Sequence, residues 1–163
     1  TTRVGDMCGE IAELLGQDHA WCERLRLAAR LHDIGKVEAY STSPEGFAHT
    51  PTGMLLGHVT LGALMFDRKL RDSGLALSVA QRDELLHFIL SHHGALEFGS
   101  PVQPMTVEAE IVHWADEASA KATDMVDELA DPELFPPGSD IEVSAKRSWR
   151  LGRKLWRRPA PWD

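Results

Sequence analysis

Four short motifs collect the residue types that hold metal ions: Leu31-His32-Asp33-Ile34-Gly35-Lys36, Leu56-Gly57-His58, Ser91-His92-His93-Gly94 and Trp114-Ala115-Asp116. Imidazole nitrogens and carboxylate oxygens are the usual protein ligands of divalent transition metals. Each motif falls in a different helical segment, and helical phase turns most of these groups inward. His32 completes the series Trp21, Leu25, Ala28. His92 and His93 stand three and four residues beyond Ile89, so one or both continue its buried face. His58 lies in a segment with hardly any polar side, and Asp116 borders the stripe through Val112. A lone inward histidine is most often a core residue bonded to a backbone carbonyl. His32, Asp33, His58, His92, His93 and Asp116 pointing inward from four helices are another matter. Burying that many titratable groups is costly unless something compensates them, and a divalent cation does so directly. The spacing therefore predicts a metal site.

Positioning such groups requires helices, and the pattern supplies them. Residues from about 2 to 15 place Val4, Met7, Ile11 and Leu14/Leu15 on one face. A second helix runs from about Trp21 and stops at Gly35. The stretch from Ser41 to Gly53 is turn-rich, and 55–70 is apolar nearly all round, which predicts a buried central helix. Ser78 and Gln81 form a capping box opening a helix with the stripe Leu86, Ile89, Leu90, His93. Thr106 caps a long helix with the stripe Ile111, Ala115, Ala118, Ala122, Met125, Leu129. After a proline-rich loop, Ser139 and Glu142 open a final basic helix. No strand pattern of useful length and no internal repeat are visible. The expected fold class is all-α, a single helical bundle with a metal centre between its helices.

At 163 residues, with 43% hydrophobic and 26% charged residues, the chain fits one globular domain and is neither disordered nor fibrous. No apolar run reaches bilayer length and no signal-peptide pattern is present, so no membrane partner is expected. Two isolated cysteines, Cys8 and Cys22, suit a reducing, cytoplasmic setting. The net charge of −8 is unevenly spread. Residues 146–163 hold seven Lys/Arg and one acid, leaving the rest of the chain at −14. This divides the sequence into a body, 1–145, and a basic ending, 146–163, that also contains Trp149, Trp156 and Trp162. The opening Thr1-Thr2-Arg3 lacks an initiator Met, and the chain reads as part of something longer.

The ordered motif set resembles the HD-domain superfamily of metal-dependent phosphohydrolases. Within it the chain is similar to the HD domain of bacterial YhaM-type 3′-to-5′ exoribonucleases. The likeness rests on LHDIGK (31–36), GMLLGHVTLG (53–62), ILSHHGALEFGSPVQPMTVEAE (89–110) and WADEASAK (114–121), and so spans most of 1–121. It implies a first metal held by His32, Asp33 and Asp116. Asp33 would bridge to a second metal completed by His58 and His92, with His93 as a further ligand or a phosphate contact. A pair of divalent cations generates hydroxide from water near neutral pH and neutralises phosphate oxygens. The His-rich set suits Mn²⁺ foremost, and Fe²⁺, Co²⁺ or Ni²⁺, better than Mg²⁺. The resemblance also implies one more ligand His, expected just upstream of Thr1, for which His19 is a less suitable substitute.

Asp33 and Lys36 are the expected catalytic pair, although Lys36 equally fits a lysine complementing a helix end. His49 and Glu97 fall in loops expected to rim the site, and His87 and His113 are assigned to structure. In the ending, Arg147, Arg150, Arg153, Lys154 and Arg157 suit nucleic-acid phosphates. The tryptophans either stack on bases or dock an amphipathic helix. The expected activity is hydrolysis of single-stranded nucleic acid, RNA foremost, from its 3′ end, with an upstream OB-fold-like domain as partner. The alternatives are a phosphohydrolase of small nucleotides (a cyclic dinucleotide, a deoxynucleotide or ppGpp) and a nucleic-acid-binding module with a degenerate metal site.

Overall fold

The computed structural model describes residues 1–44 and 46–159. The elements are α1 (Thr2–Leu14), α2 (His19–Leu31), α3 (Lys36–Ala39), β1 (Tyr40–Ser43), β2 (Gly46–His49), α4 (Pro51–Ser73), α5 (Val79–Ser91) and α6 (Val107–Leu129). A short 3₁₀ turn, Leu96–Phe98, precedes α6. The protein is predominantly helical, as the periodicity predicts. It divides into two compact units, Thr1–Asp116 and Glu117–Asp163.

In the first unit, α1 buries Val4, Cys8 and Ala12, and α2 buries Cys22, Leu25, Ala28 and Ala29. They share a core with Phe88, Ala109, Ile111, Val112 and Ala115. Leu14 and Leu15, the last residue of α1 and its C-cap, are exposed. Asp18 caps α2 by accepting the Trp21 N–H at 2.8 Å. The helix stops at Leu31, short of Gly35, as the chain tightens into i→i+3 turns from Leu31 O to Ile34 N and from Asp33 O to Lys36 N. The capping box at Ser78 and Gln81 is present, and Thr106 accepts the Ala109 N–H. On α5, His92 rather than His93 lies on the fully buried side with Phe88 and Ile89.

Three expectations fail here for local reasons. The stretch after Ser41 is not merely turns: β1 and β2 form an antiparallel hairpin with Tyr40 opposite His49 and Ser43 opposite Gly46. Both strands are almost wholly exposed, so no apolar-polar alternation marks them. α4 is not buried all round, since Met54, Leu55, Leu56 and Leu64 are exposed while Val59, Leu61 and Met65 are inside. The helix breaks at Gly57, so its two halves do not continue one another's faces. On α6 the stripe continues inward to Ala115, but Ala118 and Ala122 are exposed.

The second unit has its own core of Leu134, Phe135 and Leu155 with Met125, Leu129 and Leu151. No helix forms in residues 140–159, so the expected basic helix is absent. Ser144 accepts the Leu155 N–H and donates to Lys146 O, while Ser148 accepts the Leu151 N–H. Hydroxyls that bond the backbone in this way compete with helix formation. Ser139 donates to Pro136 O instead of capping, and Glu142 accepts from the Trp156 indole. Trp162 lies outside the described residues.

Cys8 and Cys22 are free and buried in the first core. Burial, and secondarily the Asp116 charge, push the Cys8 thiol up to about 12. Folding thus favours the neutral thiol. Its contribution is complete below the ordinary thiol pKa and is lost as pH rises toward about 12. In the folded protein near neutral pH, neither thiol is expected to react with a disulfide reagent, and both should react in denaturant.

Candidate metal centre

The i→i+3 turns after α2 let consecutive residues face one point: His32 Nε2 lies 3.2 Å from Asp33 Oδ2. Asp116, from α6, brings Oδ1 to 3.4 Å from the same nitrogen. His32, Asp33 and Asp116 form one group whose ligand atoms lie within 4.8 Å of one another. His58 from α4, with His92 and His93 at the end of α5, forms a second by the same measure. Asp33 stands between them. Its Oδ1 is 3.6 Å from His58 Nε2 and 3.7 Å from His92 Nε2, while Oδ2 faces His32 and, at 2.6 Å, Lys36 Nζ. All six expected ligands therefore meet, and Lys36 meets them through Asp33.

Backbone carbonyls set the tautomers. His32 Nδ1 lies 2.6 Å from Ala29 O, His92 Nδ1 2.8 Å from Ile89 O, and His93 Nδ1 2.7 Å from Phe98 O. A carbonyl oxygen can only accept, so each Nδ1 carries a hydrogen, and each ring turns its Nε2 to the centre. His58 Nε2 and His93 Nε2 lie 3.2 Å apart.

The electrostatics fit a cation. His32 Nε2, His92 Nε2 and Asp33 Oδ1 are buried without a properly aligned hydrogen bond. Buried polar atoms are rarely left so, and three converging on one point need a shared partner. Burial depresses His32, but the adjacent carboxylates of Asp116 and Asp33 overcome it and raise its pKa to about 9. Burial also opposes ionisation of Asp33, yet His32 and then Lys36 hold its carboxyl well below the usual range. For His92, burial and the charges of His32 and His93 lower the pKa to about 3, so it is neutral. A neutral imidazole, two carboxylates and orphaned Nε2 atoms are a donor set for divalent transition metals.

Two supporting residues carried no sequence signal. His113, one turn before Asp116, has Nδ1 2.9 Å from His92 O, and Gly94 leaves room for its ring, which a Cβ there would meet at 2.3 Å. Ser100, buried in the proline-rich loop, accepts the His93 N–H at 3.0 Å. His87 Nε2 accepts the Met105 N–H and is structural, as expected. His19 opens α2, His49 lies against Tyr40 on the hairpin and Glu97 lies in the 3₁₀ turn; none belongs to either group.

The basic residues of the ending do not act alike. Arg150 pairs with Asp124 at 3.2 Å and Glu128 at 3.6 Å, with its guanidinium 5.6 Å from the Trp149 ring centroid. Arg157 lies over Phe135, 4.6 Å from the ring centroid. Lys154 donates to Ala145 O. Arg147 and Arg153 are exposed.

A helical fold with His-Asp ligands contributed by separate helices defines a class, and the sequence agrees: the HD domain family model matches residues 1–121, so the chain belongs to the HD-domain family. Its relatives include the 3′-5′ exoribonuclease YhaM of Bacillus subtilis strain 168, 39% identical over 114 residues, covering 69% of this chain and 34% of that protein. The protein of the same name in Geobacillus sp. strain WCH70 is 40% identical over 112 residues, or 69% and 33% of the two chains. That of Bacillus velezensis FZB42 is 41% identical over 91 residues, or 56% and 28%. The chain thus spans about a third of the length of these relatives. No solved structure matches it. Among the described residues no helix is long and apolar enough to cross a membrane.

Proposed function

We propose that this chain is the hydrolytic domain of a metal-dependent phosphodiesterase that shortens single-stranded RNA from the 3′ end. The observation that carries this reading is Asp33, one carboxylate shared by two ligand groups whose buried Nε2 and Oδ1 atoms lack partners. The YhaM relatives direct the reading toward RNA. His32, Asp33 and Asp116 would hold one divalent cation, and Asp33, His58, His92 and His93 the other, with Mn²⁺ the favoured ion. Bound there, the cations would supply Lewis acidity and a water of lowered pKa.

The protein's own groups do the rest. Asp33, kept ionised by His32 and Lys36, presents one oxygen to each group. Lys36, half exposed and one turn from Asp33, is placed to offer its ammonium to a nonbridging phosphate oxygen. The carbonyl-anchored rings hold their nitrogens still while substrate enters. The decisive experiment follows 5′-labelled single-stranded RNA with Mn²⁺, with and without EDTA. A metal-dependent ladder shortening toward the label is expected. Intact RNA on metal-loaded protein would refute the exonuclease reading and turn attention to small nucleotides.

In the second unit, Arg147 and Arg153 are the proposed phosphate contacts, while Arg150 and Arg157 are engaged in packing and ion pairs. Arg153→Ala should weaken RNA binding and reduce the salt slope by about 1. Arg150→Ala should instead lower the melting temperature, because it leaves buried Glu128 without its cation. Fluorescence anisotropy across a salt series, paired with thermal melts, separates the two.

A further inference from the structure

Three of the four histidines at the centre are aimed by a carbonyl behind the ring; His58 is the exception. Among the described residues no carbonyl holds its Nδ1, and its Nε2 lies 3.2 Å from His93 Nε2 and 3.6 Å from Asp33 Oδ1. What aims His58 is the backbone immediately before it. Gly57 has φ 70° and ψ 154°, a non-helical conformation inside α4. That region is essentially reserved for glycine.

The break is held from both sides. Before it, Gly53 packs on α3 so closely that a Cβ there would stand 2.1 Å from Ala39 O. After it, His58 O itself lies against Gly35 of the His-Asp turn, where a Cβ would stand 1.9 Å from that oxygen. Each half of α4 is therefore clamped to a different point of the 35–39 segment. The non-helical Gly57 lies between these two contacts. Nothing lies within 4 Å of where its own Cβ would stand, so the demand at this position is for a backbone angle and not for space.

We infer that Gly57 is the positioning residue of the second metal group: its left-handed break turns His58 toward Asp33, while the group of His32, Asp33 and Asp116 is built without it. The inference rests on the two-cation reading above. It predicts that a side chain at position 57 converts a two-cation centre into a one-cation centre.

The test is Mn²⁺ stoichiometry and affinity by isothermal titration, on wild type, Gly57→Ala and Gly74→Ala. Gly74, the C-cap of the same helix, has φ 67° and also has nothing within 4 Å of a Cβ. It thus places a side chain at a comparable positive φ, far along the helix from His58. Wild type and Gly74→Ala should bind two equivalents. Gly57→Ala should keep one and bind the second roughly ten- to a hundredfold more weakly, the strain expected of a side chain in this region. Circular dichroism and melting curves confirm that each variant is folded. If Gly57→Ala unfolds, Gly57→Ser and a His58→Ala variant on the wild-type backbone take its place. His58→Ala should then lose the same second equivalent, and Gly57→Ser should match it. Two equivalents of unchanged affinity in a folded position-57 variant would overturn the inference. A wild type that binds fewer than two would instead overturn the two-cation reading.

Discussion

Replacing Asp33 with alanine is expected to reduce hydrolysis on the order of a thousandfold or more, the largest effect of any single change in the protein. Among the described residues no other serves both ligand groups: Oδ2 lies at His32 and Lys36, and Oδ1 faces His58 and His92. Alanine removes an anion from the middle of four imidazoles and an ammonium, so both cation sites lose a ligand and their balancing charge. The Asp33→Asn change would keep the shape and one acceptor oxygen but not the charge, and should recover little. His49→Ala, outside both groups, should retain full activity. Metal content of the purified variants, read by mass spectrometry alongside the RNA assay, checks the cause. Full metal content in an inactive Asp33→Ala protein would show that Asp33 acts in some other way than as the shared ligand.

Removing the cations is expected to lower the melting temperature by about 10 °C. Three buried polar atoms of the centre lack partners without a cation. A ligand at a hundred times its dissociation constant contributes about 2.7 kcal/mol, and each kcal/mol is worth several degrees in a unit of this size. Differential scanning calorimetry with Mn²⁺ and with EDTA measures the difference. The same comparison on His92→Ala, which removes one orphaned nitrogen, should show a smaller shift. Identical melting curves for metal-loaded and chelated wild type would place the bound metal elsewhere.

The candidate ligands are legible in the sequence because histidine and aspartate at inward helical phase have few bland explanations when six of them coincide. Their support is not. The carbonyls behind His32, His92 and His93 belong to Ala29, Ile89 and Phe98, whose side chains say nothing about that role. Gly57 reads as one glycine within an apolar run, and only the structure shows that it breaks α4 and leaves Met54 to Leu56 exposed. The basic ending suggests a helix through its charge and tryptophan spacing. Ser144 and Ser148 instead bond nearby backbone groups, and Gly152 takes a φ of 65°. In that stretch short-range polar bonds outweigh amphipathic spacing.

The histidines that lean on carbonyls have a consequence for how the centre fills. His32 and His92 are fully buried, so their rings have little rotational freedom left to lose when an ion arrives. Organising those rings is accomplished during folding and need not be repeated on binding. Ion exchange at these positions is then governed by desolvating the incoming cation and displacing protons rather than by rearranging the protein. The empty and filled forms should share one backbone, and apoprotein prepared by chelation should regain its metal without refolding.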